Sequence, residues 1–346
     1  MRSSNWISRS RARFASGRLS KAFLNSIREV VVEPANTETL SPEAQALLSA
    51  IRAQGFSGWA FMTIPQLRAM MIGLNDLAGE TNFAGAVEEA RIAEDVTALI
   101  YRQPSAPPAP LLLYFHPGGF VAGDARGIDG CARRLAHATG MSIASVNYRL
   151  APEHKFPAAV EDAYAALQWA ANRGAEFGWD PQRIIVGGDS AGGNLSAAVC
   201  QLARERNGPR LSAQLLVGAL LDHDVSTESH RAFGSAFGTL TSRDVDWFLN
   251  HYVNSADELS DPRVSPLRAS DLSGLPPAVI IVGALDPLKD EAVRYAERLR
   301  EAGVHVDLRI VPRMFHGFWL APALLPEARE AMEFAAQSLR RVLEVP

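Results

Sequence analysis

A chain of 346 residues with 47% hydrophobic and 21% charged side chains holds enough apolar material for a large buried core. Its formal net charge of −4 offers no basic face of the kind nucleic acid requires, and no uninterrupted apolar run reaches the ~20 residues needed to span a bilayer, so small molecules are the expected partners. The cysteines, Cys131 and Cys200, provide neither a disulfide framework nor a finger-type zinc site, which points to a soluble protein of a reducing compartment, the cytoplasm.

The chain opens with Arg2, Arg9, Arg11, Arg13, Arg18, Lys21 and Arg28 ahead of its first acid, Glu29. This stretch lacks the apolar core of a secretory signal. It reads as a partly ordered extension leading into a helix, with a transit peptide or a patch for anionic surfaces as the alternatives. Residues from about 20 to 75 then look helical without strands. From residue 110 short apolar runs alternate with amphipathic stretches. Strands are expected at 111–115, 142–147, 183–186, 214–220, 278–282 and 304–311, and helices at 128–139, 158–173, 191–206, 288–302 and 326–342. Strand followed by helix, repeated, implies a mostly parallel central sheet with right-handed crossovers and helices on both faces. The stretch 225–258, with its Phe, Trp and Tyr residues, interrupts this alternation. No Pro-, Ser- or Gly-rich linker divides the chain, so the expected organisation is an extension with cap helices over 1–75 and one α/β domain over 76–346, carrying a cap insertion at about 225–258. That both segments are merely surface helices is the competing reading.

Three local patterns carry chemistry. Gly188-Asp189-Ser190-Ala191-Gly192 lies between an expected strand and an expected helix, the setting of a nucleophile elbow. That turn is so sharp that residues two before and two after the serine meet, which requires glycine at both. A serine hydroxyl needs a base to take its proton and an acid to hold that base in the right tautomer. Asp286 follows the strand at 278–282, and His316 lies in the loop Phe315-His316-Gly317-Phe318, giving the order Ser, Asp, His. Asp286 also reads as a helix cap ahead of Pro287, and Asp222 and Asp224 are rival acids. The third pattern, His116-Pro117-Gly118-Gly119-Phe120, closes the strand at 111–115. Backbone N–H groups of Gly118, Gly119 and Ala191 are the expected donors to a developing oxyanion.

Taken together these residues resemble the hormone-sensitive-lipase family of esterases, also called bacterial family IV lipolytic enzymes. The family's H-G-G-G-[FW] motif matches 116–120, its Y-R-L-A-P-E-x-x-F-P-A-A segment 148–159, its G-D-S-A-G-G motif 188–193, and its D-P-L-x-D and H-G-F motifs 286–290 and 316–318. The resemblance spans about residues 80 to 340. It implies an α/β-hydrolase fold with a helical cap, Ser190, Asp286 and His316 as the triad, and no metal or organic cofactor. It also implies structural parts for His116, Tyr148, Arg149, Glu153, Asp189 and Asp290 in holding loops about the elbow, and it is compatible with a homodimer. Pro117 departs from the pattern, standing where the family has its first glycine. Proline has no N–H to donate, but the family's donors correspond to Gly118 and Gly119.

The activity implied is hydrolysis of carboxylic esters with short to medium acyl chains. Phe120, Trp247, Phe248, Tyr252 and Trp319 are candidates to line an apolar pocket, each with a place in the core as its alternative. An amidase, formamidase or lactonase would use the same triad. A ligand receptor built on the fold would lack the histidine that stands here at 316.

Overall fold

The computed structural model describes residues 39–104, 108–235 and 238–344. The basic N-terminal run and the first part of the expected helical stretch lie outside the described residues. Ser41 caps helix α1 (Pro42–Ala53) by accepting the N–H of Ala44, with proline at the first helical position where its missing N–H costs nothing. A 3₁₀ turn at Trp59–Phe61 leads to α2 (Ile64–Gly73), which opens on a Thr63/Gln66 capping box.

An eight-stranded sheet follows. In chain order its elements are β1 (Ala86–Arg91), β2 (Thr97–Arg102), β3 (Ala109–Phe115), α3 (Asp129–Thr139), β4 (Ser142–Asn147), α4 (Ala158–Phe177), β5 (Trp179–Asp189), α5 (Ala191–Glu205), β6 (Ala213–Val217), α6 (Glu228–Phe233), α7 (Ser242–Tyr252), β7 (Ala278–Gly283), α8 (Lys289–Glu301), β8 (Val306–Val311) and α9 (Pro326–Glu344). The spatial order is β1-β2-β4-β3-β5-β6-β7-β8. The β1–β2 and β2–β4 pairs are antiparallel and every other pair is parallel.

Because successive strand residues point to opposite faces, the apolar runs feed two cores. Leu111, Leu113 and Phe115 share one with Leu167 of α4 and Leu195 of α5, while Leu112 and Tyr114 share the other with Leu135 of α3 and Leu339 of α9. Strands buried on both faces need no alternation, which is why they appear in the sequence as continuous apolar runs. The expected parallel sheet with helices on both faces is therefore the observed one. Sequence reasoning missed β1 and β2. In β1 only Ala90 is buried, so the pattern Ala-Val-Glu-Glu-Ala-Arg of an edge strand shows no apolar face to read.

Leu113 is fully buried at the centre of the sheet. Leu113→Ala is expected to cost about 2–5 kcal/mol of stability, read as a lower urea midpoint at unchanged slope.

Candidate active site

Strand β5 ends in the elbow. Ser190 has φ 55° and ψ −118°, a strained conformation for a residue with a side chain. It is held there because its N–H donates to the Val217 carbonyl at 2.9 Å while its own carbonyl accepts from Asn194 and Leu220 at 3.1 and 3.2 Å. The close approach expected of the flanking glycines is present. A Cβ on Gly188 would lie 2.4 Å from the carbonyl carbon of Gly192, and one on Gly192 would lie 1.9 Å from the Phe115 oxygen.

The loop after β8 brings His316 to this serine. His316 Nε2 is 3.1 Å from Ser190 Oγ, and His316 Nδ1 is 2.9 Å from Asp286 Oδ2. A carboxylate can only accept, so Nδ1 carries the proton and the Nε2 lone pair faces the hydroxyl. Asp286 is buried, and its other oxygen accepts the N–H of Leu288, so the acid is also the turn former at the head of α8. The rival acids are engaged elsewhere: Asp222 accepts from Arg268 Nε at 2.6 Å and Asp224 from Ser226.

Burial pushes the His316 imidazole down, but the Asp286 charge and hydrogen bond, with Asp189 adding to them, outweigh it and leave the ring more basic than an ordinary histidine. Asp189 is itself buried, which raises its carboxyl to about 7 although Tyr114 and His316 pull it down. Its Oδ1 accepts the Tyr114 hydroxyl at 2.9 Å.

Across the elbow, Gly118 and Gly119 both have positive φ, 124° and 61°. A Cβ on Gly119 would stand 2.2 Å from the Phe248 ring. Among the described residues neither amide has an internal acceptor, and Ala191 sits at the first position of α5, where helical N–H groups lack partners. His116 Nδ1 donates to the Pro117 carbonyl at 2.9 Å; burial lowers this imidazole to about 4, so it is neutral. Its ring stacks on Tyr148, whose hydroxyl donates to the His116 carbonyl at 2.8 Å. Arg149 pairs with Asp162, Glu153 with Arg68, and Asp290 accepts the N–H of Ser229.

Ser190, His316, Gly118 and Gly119 open into one cavity. Its walls are largely aliphatic. Leu47 and Ile51 of α1, Trp59, and Met70 and Met71 of α2 line one part, and Leu240, Val245 and Phe248 another. Of the aromatic candidates only Phe248 lines it. Phe120 and Tyr252 are fully buried and stack on each other at 3.9 Å between centroids, Trp319 lies in the core shared with α3 and α9, and Trp247 packs edge-on against Phe248. The reason is area and phase. Large rings gain most from complete burial, and Trp247 is turned about 100° around α7 from Phe248. The aliphatic wall from α1 and α2 was missed; the spacing of Leu67, Met70, Met71 and Leu74 marks a buried helix face but not what it faces. Among the described residues no cluster of three or more His, Cys, Asp or Glu side chains is placed to hold a metal ion, and no helix is long and apolar enough to cross a membrane.

A family profile described as the alpha/beta hydrolase fold matches residues 112–320. The chain belongs to the α/β-hydrolase family, in its hormone-sensitive-lipase-type branch. The hydrolase is 42% identical over 309 residues to the carboxylic ester hydrolase LipN of Mycobacterium tuberculosis, covering 86% of this chain and 81% of that protein. It is 35% identical over 250 residues to the ethyl acetate hydrolase of Pseudomonas putida, covering 70% and 78%. Among solved structures, an esterase from the archaeon Pyrobaculum calidifontis superposes with a TM-score of 0.83 at 35% identity, over 88% of this chain and 99% of that one.

An NMR titration of the His316 ring should place its midpoint above the ordinary ~6.5. In Asp286→Asn, where burial loses its main opponent, the midpoint should fall. No movement in that variant would mean Asp286 does not set the ring's basicity.

Proposed function

We propose that this hydrolase cleaves carboxylic esters with uncharged, short to medium acyl groups by acyl transfer through Ser190, with His316 as base and Asp286 as its orienting acid. The observation that carries the reading is the unbroken line Asp286 Oδ2, His316, Ser190 Oγ, at 2.9 and 3.1 Å, opening on the same cavity as the Gly118 and Gly119 amides. Ser190 Oγ attacks the ester carbonyl while Nε2 takes its proton, and the charge left on the carbonyl oxygen meets the N–H groups of Gly118, Gly119 and Ala191. Collapse of the tetrahedral intermediate expels the alcohol, which takes the proton back from Nε2. Water then gives its proton to Nε2 and attacks the acyl-enzyme, releasing the acid. Asp286 stabilises the imidazolium in both halves without itself being protonated.

The relatives' names support esters over amides. The aliphatic walls favour acyl groups without charge, because a charged group set against them would lose its hydration. Of the expected cap, 1–75 with the insertion at about 225–258, the described residues 39–75, 225–235 and 238–258 act in this reading as a cover over the site.

Hydrolysis of p-nitrophenyl esters from acetate to palmitate tests the assignment. Activity should be greatest on short and medium chains and should fall by on the order of 10⁶ in turnover in Ser190→Ala and in His316→Ala. Wild type inactive on every ester, or Ser190→Ala retaining activity, would defeat it and turn attention to amides. Since a protonated ring cannot take the serine proton, kcat/KM should be full at alkaline pH and lost as pH falls through the raised His316 value, so the acid limb should lie above pH ~6.5.

A further inference from the structure

Arg68 projects from α2, the helix whose neighbouring residues Met70 and Met71 line the cavity. Its guanidinium makes four hydrogen bonds: Nε to the Val121 carbonyl at 3.0 Å, Nη2 to the Ala151 carbonyl at 3.1 Å, and Nη1 and Nη2 to the two Glu153 oxygens at 2.9 and 2.6 Å. The two carbonyls belong to segments already joined by a bond from Ala151 N–H to the Phe120 carbonyl at 2.9 Å. Val121 and Ala122 in turn donate to the Gly118 carbonyl, closing the turn that carries Gly118 and Gly119. One planar cation thus staples this turn to the segment behind it from the side of the cavity wall.

Its charge pairing cannot be the reason for this arrangement. The Arg68 and Glu153 side chains are 32% and 55% exposed, and a pair so open to water is worth little. The hydrogen bond and charge of Arg68 hold the Glu153 carboxyl near 2, so the fork stays ionised at any ordinary assay pH. What the ion pair does is aim the guanidinium, so that its remaining N–H groups meet two main-chain carbonyls in fixed directions.

We infer that Arg68 is a positioning residue for the oxyanion loop, holding the Gly118 and Gly119 amides in register with Ser190 through Val121 and Ala151. It touches neither substrate nor reacting atoms. The inference rests on the ester-hydrolase reading for its kinetic test and on Ser190 reactivity alone for a second one. A displaced donor weakens transition-state binding and leaves ground-state binding nearly intact.

Arg68→Ala, Arg68→Lys and Glu153→Gln, with wild type, would be assayed on p-nitrophenyl acetate and hexanoate, and their rates of Ser190 labelling by a phosphonate ester followed by mass spectrometry. Arg68→Ala should lower kcat about tenfold or more on both esters, with KM within about threefold, and should slow labelling to match, since the phosphonyl oxygen uses the same donors. Arg68→Lys keeps the charge but cannot span all four acceptors, and should recover only part of the loss; Glu153→Gln, which keeps size and one acceptor, should lose less than Arg68→Ala. Should Arg68→Ala not fold, the other two variants carry the comparison. Unchanged kcat and labelling with only a lower Tm would overturn the inference in favour of a stability clamp. A raised KM for hexanoate with acetate turnover intact would overturn it in favour of a wall support. A wild type inactive on esters would sink the ester reading, while the labelling rates would still decide the part played by Arg68.

Discussion

The backbone of Ser190 is the constraint on which the site depends. At φ 55° it presents Oγ at the edge of the sheet, and it is held there because neighbouring backbone closes on the elbow at Gly188 and Gly192, which have no side chains. On one side β3 ends in the Phe115 carbonyl that fills the space where a Gly192 Cβ would stand. On the other, β6 accepts the serine N–H through Val217. The same neighbours carry the residues of the proposed chemistry. The chain leaving β3 becomes the loop of Gly118 and Gly119, and the chains leaving β7 and β8 carry Asp286 and His316. Parallel strands ending at one edge are what allow four distant segments to meet there, the usual place for a ligand in an open α/β sheet.

The cavity above is closed by segments that the sheet does not order. Asp244, almost fully buried, joins them. Its Oδ2 caps α7 at Thr241 while its Oδ1 accepts the N–H of Ala60 at 2.8 Å, across 184 residues of sequence. A carboxylate suits the place because an N-terminal turn leaves unpaired N–H groups and carries the positive end of the helix dipole. One side chain therefore fixes Phe248 over Gly119 and ties it to the turn holding Trp59. The Arg243 guanidinium over the Phe61 ring, 4.4 Å from its centroid, adds to the same junction. These contacts join the two wall segments, and Arg68 joins α2 to the loops that follow β3 and β4.

How much of this was legible in the sequence follows from how local each requirement is. The elbow and the glycine loop are dictated by backbone geometry within five residues, so residue type and order reveal them directly. Asp286 and His316 are thirty residues apart, and no local rule joins them; the order of strands and loops offered Asp286 with Asp222 and Asp224 as rivals, and the hydrogen bond to His316 distinguishes it. The cavity wall was not legible. A helix buries Leu67, Met70 and Met71 whether the facing volume is filled by side chains or left open, and the stripe looks the same in both cases. Aromatic residues misled because a ring's preference for burial is satisfied better by another ring, as in Phe120 and Tyr252, than by a space. The fork of Arg68 was hidden because two of its four acceptors are carbonyls, which every residue has.

Pro117 shows how a departure from a family pattern can be neutral for one property and not for another. The peptide joining Pro117 to Gly118 has its carbonyl fixed by the buried, neutral His116 ring. A trans peptide directs its N–H opposite to its C=O, so that bond also aims the Gly118 N–H away from His116. No N–H at position 117 enters this arrangement, and a residue with φ already restricted loses less entropy on folding than glycine would, a gain of about 0.4–1 kcal/mol where the backbone fits. The cost appears elsewhere. Pro117 is among the residues lining the cavity, where glycine would be smaller. In the proposed reaction, where Gly118 and Gly119 are the donors, a residue without an N–H at 117 bears on the shape of the space beside Ser190, and so on which groups fit rather than on how charge is stabilised.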